Sequence, residues 1–215
     1  MICLVTAGPT FEPLDGARRL TNFSTGQLGV ELANFLTDHG HDVTLLFGAQ
    51  STYAGVRRAQ KVEIFSTTND LQKKLQAQSS KRVEAVFHAA AVSDFAFGKV
   101  WERTASGELL EVKTGKISTR QGTLLAELVP TVKIISHLKE WFPHAQITGW
   151  KYEVDGNRES VIQAAQKQMA ECHTHLCVAN GPAYGDGFGL VNRNGSSVHI
   201  ENRNALFETL EQSLH

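Results

Sequence analysis

Much that would betray a function at a glance is missing from this chain. Its three cysteines, Cys3, Cys172 and Cys177, are odd in number and scattered. They lack the spacing of a metal site or a disulfide framework. They read instead as small buried hydrophobes, which suits a reduced, cytoplasmic setting. The formal net charge is −1, so no bulk field draws the chain to nucleic acid or to a membrane surface. No apolar run approaches the roughly 20 residues that span a bilayer. The chain opens on a core-like strand, which leaves no room for a secretory leader. There is no Gly-x-Ser-x-Gly elbow, no metal-binding histidine pair and no Walker lysine.

What is present is an ordinary globular composition, with 41% hydrophobic and 20% charged residues over 215 positions. That length suits one large α/β domain, residues 1–215, and no repeat, low-complexity stretch or linker divides it. Met1–Thr6, Asp42–Phe47, Val83–Ala91, Gln146–Lys151 and His175–Ala179 are expected as strands. Helices are expected over Ser24–His39, from the Thr67 cap to about Gln78, near Thr131–Trp141, over Arg158–Cys172 and from about Asn204. Strands apolar on both faces and alternating with helices indicate a mostly parallel, doubly wound sheet. A turn at Asn192–Gly195 followed by a strand at Ser197–Glu201 predicts a hairpin-like C-terminal addition. Phe95–Thr123, rich in glycine, lysine and arginine, breaks the rhythm. It reads as a long functional loop or flap whose Glu108–Val112 portion pairs as an edge hairpin.

The densest chemical signal lies between the first strand and the first helix. Gly8 ends the strand, a polar loop carries Arg18, Arg19 and Asn22, and Ser24-Thr25-Gly26 opens the helix. Unpaired backbone N–H groups and the helix dipole favour an anionic ligand there. The loop is too long for a dinucleotide fingerprint, and it places an amide and two guanidinium groups where glycines belong. Ser24 is the expected helix cap, which would leave the Asn22 amide free for a ligand. Arg18 and Arg19 are adjacent and should diverge, so one at most faces the site. Further strand ends carry His88-Ala89-Ala90-Ala91 with Asp94, Gly149-Trp150-Lys151 and Asn180-Gly181, where open α/β sheets bind ligands. His88 reads as a hydrogen-bonded core histidine. The other histidines, including His41, His199 and His215, show no pairing pattern, and Trp101 and Trp141 read as packing residues.

Taken together, Val5-Thr6-Ala7-Gly8-Pro9-Thr10, Glu12-Pro13-Leu14-Asp15, Arg18, Asn22-Phe23-Ser24-Thr25-Gly26, Gly29, Ala89-Ala90-Ala91-Val92-Ser93-Asp94-Phe95 and Gly115-Lys116-Ile117-Ser118 resemble the phosphopantothenoylcysteine synthetase family. The resemblance runs through Trp150-Lys151 and Val178-Ala179-Asn180, nearly the whole chain. It implies a Rossmann-like fold, a homodimer, and a ligase joining 4′-phosphopantothenate to L-cysteine with a nucleoside triphosphate and Mg2+. By carry-over, Asn22, Lys116 and Arg18 would be catalytic, with Asn22, Ser24, Thr25 and Gly26 on the substrate. Gly8, Ala89, Ala90, Ala91, Asp94, Val132, Trp150 and Lys167 would hold the nucleotide, while the metal ligands stay unassigned. Lys116 would belong to a flap closing over the phosphates. The ligase half alone is present, so no flavin is expected. Lys116-Ile117-Ser118-Thr119 carries fewer lysines than the bacterial pattern. With Gly149-Trp150-Lys151 it looks more like the stand-alone eukaryotic type, in which many members prefer ATP to CTP. An NAD(P)-dependent reductase, lacking Gly-x-Gly-x-x-Gly and Tyr-x-x-x-Lys here, and a non-catalytic nucleotide-binding relative are the alternatives.

Overall fold

The computed structural model describes residues 1–113, 115–118 and 122–215; Thr119 and Arg120 of the expected flap lie outside them. The chain opens with β1 (Ile2–Pro9), β2 (Phe11–Pro13), β3 (Arg19–Thr21), α1 (Gln27–Asp38) and β4 (Asp42–Gly48). Then follow β5 (Lys61–Phe65), α2 (Thr68–Gln78), β6 (Ala85–Ala91), β7 (Phe95–Arg103), β8 (Leu109–Glu111) and β9 (Thr123–Pro130). The last third holds α3 (Ile134–Trp141), β10 (Gln146–Tyr152), α4 (Arg158–Cys172), β11 (Leu176–Asn180), β12 (Phe188–Asn192), β13 (Ser197–Ile200) and α5 (Arg203–Gln212).

The main sheet has the order β13-β12-β11-β10-β6-β1-β4-β5. Its six strands from β5 to β11 are parallel, and β12 and β13 extend it antiparallel. The chain therefore starts in the middle, winds out to one edge and returns to wind out to the other. This is the mostly parallel, doubly wound, Rossmann-like sheet that the alternation predicts, with its switch point between β1 and β6. The expected C-terminal hairpin is β12–β13, closed by the turn at Asn192–Gly195.

Alternate side chains of β1 face opposite layers, as the two-residue period of a strand requires. Cys3, Val5 and Ala7 pack under α1 and α5 with Val30, Ala33, Leu206 and Leu210. Leu4 packs with Leu71, Leu75, Ile134 and Leu138 of α2 and α3 on the other face. A third cluster joins Val161, Ala165 and Met169 of α4 to Cys177, Ala179 and Val191. All three cysteines are buried and unpaired, and burial pushes the Cys3 and Cys177 thiols up to about 12. Among the described residues, no helix is long and apolar enough to cross a membrane.

Several sequence expectations are corrected. Phe95–Thr123 is not a plain loop with one edge hairpin: its strands β7 and β8 join β9, which runs on to Pro130, in a separate sheet of order β8-β7-β9. Its strands are largely exposed or half-buried, so they carry no clean apolar alternation. A register shift between Phe97 and Val100, where the Glu127 carboxylate accepts from Lys99 N at 3.0 Å, breaks the pattern further. The short strands β2, β3 and β5, largely exposed or half-buried, escape sequence reading for the same reason, and β12, though largely buried, is only five residues long. Helix α1 starts at Gln27 rather than Ser24, and its N-cap is Gly26 at φ 83 with no side-chain cap.

Gly29 lets α1 lie directly on β1. A Cβ there would stand 2.6 Å from Ala7 Cβ and 3.1 Å from both Ala7 Cα and Thr6 O. Gly29→Ala should therefore destabilise the protein by about 1–3 kcal/mol through overpacking, outweighing the roughly 1 kcal/mol gain in helix propensity. Urea unfolding checks this, and an unchanged or raised midpoint would refute it. His88 is buried with Nδ1 3.0 Å from Thr6 Oγ1, and desolvation lowers its imidazole from 6.5 to about 4. A histidine depressed in the fold favours the native state above its unfolded value. Stability should thus fall as pH drops from about 6.5 toward 4. His88→Gln should flatten that slope in urea titrations, leaving the part due to His175, likewise lowered to about 4, chiefly by burial.

Candidate functional site

The β1–α1 connection does not hang free at the end of the sheet. β2 and β3 pair into a small hairpin, Phe11 opposite Thr21 and Pro13 opposite Arg19. Thr10 anchors its base: Thr10 N donates to Ala91 O at 3.1 Å, and Thr10 Oγ1 accepts from Ser93 N at 2.8 Å. Glu12, 7% exposed, accepts from Thr68 N at 2.9 Å and so closes the N-terminus of α2. Thr21 Oγ1 returns to Thr10 O at 2.9 Å. The hairpin thereby delivers Asn22 to the end of β6.

The expectation of a free Asn22 amide is corrected here. Its Nδ2 donates to Ala91 O at 3.1 Å and to Val92 O at 3.2 Å, which occupies both amide hydrogens. The side chain is nonetheless exposed. The amide cannot rotate without losing two bonds. Ser24 is half-buried and does not cap α1; Thr25 Oγ1 instead accepts from Gln27 N at 3.2 Å. The helix thus begins at a buried glycine that offers no side-chain cap of its own, with the Gln27 N–H alone taken by Thr25, and anions bind at such a start.

Gly8, at φ 85, sits beside it at the end of β1, and a Cβ on Gly8 would meet Ser51 Oγ at 1.8 Å. Ser51 Oγ is buried without a hydrogen-bond partner among the described residues, as are Trp150 Nε1 and Asn180 Oδ1. Ser51 follows β4, Trp150 lies near the end of β10 and Asn180 ends β11. Buried polar atoms in native folds are normally satisfied. Three of the six such orphans among the described residues lie along the carboxyl ends of the strands. Ala89, Ala90 and Ala91 are half-buried at the switch point, small enough to bring a ligand to the β6 backbone. Ser51 has no motif to betray it, and only its packing against Gly8 and Gly26 reveals it.

The two arginines diverge as expected. Arg19 stacks over the Phe11 ring, 5.0 Å from its centroid. Arg18 is ion-paired to Asp15, and its Nη2 also donates to Ile117 O at 2.7 Å. Asp15 Oδ1 accepts from Ala17 N and Arg18 N, both at 2.8 Å, and its Oδ2 accepts from Ile117 N at 3.1 Å. Gly16 N donates to Gly115 O at 2.8 Å. The Arg18 guanidinium, with the Ile117 and Ala17 N–H groups, holds the Asp15 carboxyl well below the usual carboxylate range. Ile117 is buried at 4% exposure. The segment around Lys116 is therefore docked on the Asp15–Arg18 turn, and the exposed Lys116 is carried between two fixed peptide groups.

Asp94 is exposed just beyond β6. Its carbonyl accepts from Thr131 N at 2.9 Å, which brings the half-buried Val132 next to it, packed on the α2–α3 cluster. Lys167 is placed elsewhere. It is exposed in the second half of α4, beyond the end of that helix nearest the strand ends, and pairs with Glu171 at 3.9 Å. The fold thus places Gly8, Asn22, Gly26, Ala89–Ala91, Asp94, Val132 and Trp150 at one end of the sheet and Lys167 in the second half of α4.

Residues 2–213 match the family model described as the DNA/pantothenate metabolism flavoprotein C-terminal domain. The coenzyme A biosynthesis bifunctional protein CoaBC of Thermococcus kodakarensis is 34% identical over 178 residues, 82% of this chain and 40% of that protein. The Bacillus subtilis protein of the same name is 29% identical over 187 residues, 86% of this chain and 42% of that protein. The chain spans about two fifths of the length of these curated relatives. A crystal structure of the DNA/pantothenate metabolism flavoprotein from Streptococcus pneumoniae superposes with TM-score 0.85 at 24% identity, covering 100% of this chain and 98% of that one. Cab2 in complex with phosphopantothenate-cysteine superposes at 0.70 and 20% identity, over 99% and 84% of the two chains. At these identities the two structures speak for the fold alone. Matched along almost its whole length, the chain belongs to the DNA/pantothenate metabolism flavoprotein C-terminal domain family, the phosphopantothenoylcysteine synthetase family.

Proposed function

We propose that this domain joins 4′-phosphopantothenate to L-cysteine through a phosphopantothenoyl-nucleotidyl intermediate, a step of coenzyme A biosynthesis. The observation that carries the reading is the pinning of Asn22 against the Ala91 and Val92 carbonyls. It merges the two motifs of the resemblance into one site at the switch point. In the first half-reaction the substrate carboxylate attacks the nucleotide α-phosphorus and pyrophosphate leaves. In the second, the cysteine amine attacks the acyl carbon, nucleoside monophosphate leaves and the amine loses a proton. Both steps need charge neutralised more than they need a strong acid or base.

The uncapped start of α1 and the ammonium of Lys116 supply positive potential for phosphate oxygens, and Ser51, Trp150 and Asn180 offer hydrogen-bonding atoms nearby. Mg2+ fits as an ion held mainly by the nucleotide phosphates and water, its usual coordination. Among the described residues, no trio of carboxylate or imidazole ligands gathers at this end of the sheet. Arg18 then acts as a positioning residue, holding the Lys116 segment to the Asp15 turn rather than touching the reacting atoms. A cytoplasmic setting and the absence of flavin belong to the same reading.

The test follows pyrophosphate release and product formation separately, with ATP and CTP, with and without phosphopantothenate. Pyrophosphate release should depend on phosphopantothenate, with ATP used at least as well as CTP. Asn22→Asp should retain the fold yet slow product formation while the acyl-nucleotidyl species accumulates. A carboxylate there loses both donor bonds and repels the intermediate's phosphate. Lys116→Ala should reduce pyrophosphate release on the order of 10²-fold, the typical cost of losing one such charge-stabilising group. Pyrophosphate release indifferent to phosphopantothenate, or wild-type turnover in both variants, would overturn the assignment.

The same reading includes a homodimer built on the β8-β7-β9 sheet, where Phe95, Leu109, Leu110 and Leu128 are 45–50% exposed. A second copy of the chain is the occupant that the family resemblance implies. Light scattering should give twice the chain mass, and Leu128→Glu should shift the population to monomer. A monomeric wild type at micromolar concentration would rule the interface out.

A further inference from the structure

Away from the strand ends, the turn between α1 and β4 meets the end of α5. His41, buried at 4% exposure, presents Nε2 to Glu211 Oε1 at 3.3 Å. His215 presents its own Nε2 to the same oxygen at 3.2 Å. The three potential ligand atoms all lie within 4.8 Å of one another. We propose that His41, Glu211 and His215 form a binding site for a divalent transition-metal ion, with Zn2+ as the best-matched representative.

The distances decide between two uses of these groups. A charge-assisted N–H···O bond to a carboxylate settles at about 2.7–2.9 Å. Neighbouring ligands of a tetrahedral Zn2+, with metal–ligand bonds of about 2.0–2.1 Å, stand about 3.3–3.4 Å apart. The two imidazole–carboxylate separations match the second geometry. Two imidazoles and one carboxylate also make a three-ligand zinc set, with a fourth position open to water. Imidazole nitrogen suits Zn2+, Co2+ or Ni2+, whereas Mg2+ prefers oxygen ligands, so the site differs in kind from a nucleotide-bound Mg2+.

Backbone hydrogen bonds support the trio. His41 N donates to Leu36 O at 3.1 Å, and His41 O accepts from Gln60 Nε2 at 3.0 Å. Glu211 lies in the last turn of α5, and the His215 backbone N–H bonds Gln212 O at 3.3 Å. On the far edge of the His41 ring, Nδ1 faces the Met1 amine at 3.3 Å. The bound ion would clasp α5 to the edge of the sheet opposite the ligand-binding ends. This inference stands independently of the proposed ligase activity.

Equilibrium dialysis against Zn2+ at pH 8 with excess Mg2+, together with the visible absorption of the Co2+ form, tests it on the whole chain. One Zn2+ per chain is expected, with a tetrahedral Co2+ spectrum and a raised melting temperature. Glu211→Gln and His215→Ala, at half-buried and exposed positions, should each weaken Zn2+ binding at least about 10-fold and abolish the melting shift. Circular dichroism confirms that both variants remain folded. Absence of saturable one-to-one binding, or affinity unchanged in either variant, overturns the site.

Discussion

The carbonyl of Ala91 organises one end of this molecule. It accepts from the Thr10 backbone at the root of the β2–β3 hairpin and from the Asn22 side chain at its return. Two segments far apart in sequence are thereby held at the carboxyl end of one strand. Without that double acceptor, the long polar connection would be a surface loop with no defined relation to β6. With it, the connection becomes a fixed wall of the crevice where the sheet reverses direction. The close approach of α1 to β1 through Gly29 serves the same end by bringing the uncapped helix start down to the strand.

A second clasp works on the other side of the hairpin. Asp15 and Arg18 bond to each other and to the peptide groups of Ile117, and Gly16 reaches Gly115. A segment that sequence alone marks as a flap is seated through backbone groups on both sides of its lysine. The charge pair is useful here because Asp15 is nearly inaccessible, its side chain 1% exposed. A carboxylate so enclosed must be fully bonded, and it is bonded to the elements that have to meet.

The opposite edge of the sheet carries different chemistry. Its polar groups are imidazoles and a carboxylate drawn together by the packing of α5 against α1. The carboxyl ends of the strands instead offer amides, hydroxyls and a helix start. The two ends of one parallel sheet therefore present unlike polar groups.

By itself the sequence determined the parallel core, the order of the main elements, α4 with its ends and the C-terminal hairpin. Buried strands and amphipathic helices write their period directly into neighbouring residues. It also singled out Asn22, Gly26, Ala89–Ala91 and Asp94, which the fold brings to one end of the sheet. It could not show the β8-β7-β9 sheet, whose exposed strands leave no alternation. Nor could it show that the Asn22 amide is spent on two carbonyls, that Arg18 serves a backbone, or that Lys167 pairs with Glu171 in the second half of α4. His41 and His215 looked unrelated until α5 folded back on the α1–β4 turn. Each of these depends on which distant backbone group or side chain arrives beside a residue. Only the tertiary structure decides that, because hydrogen bonds and ion pairs act over a few ångströms of space and not along the chain.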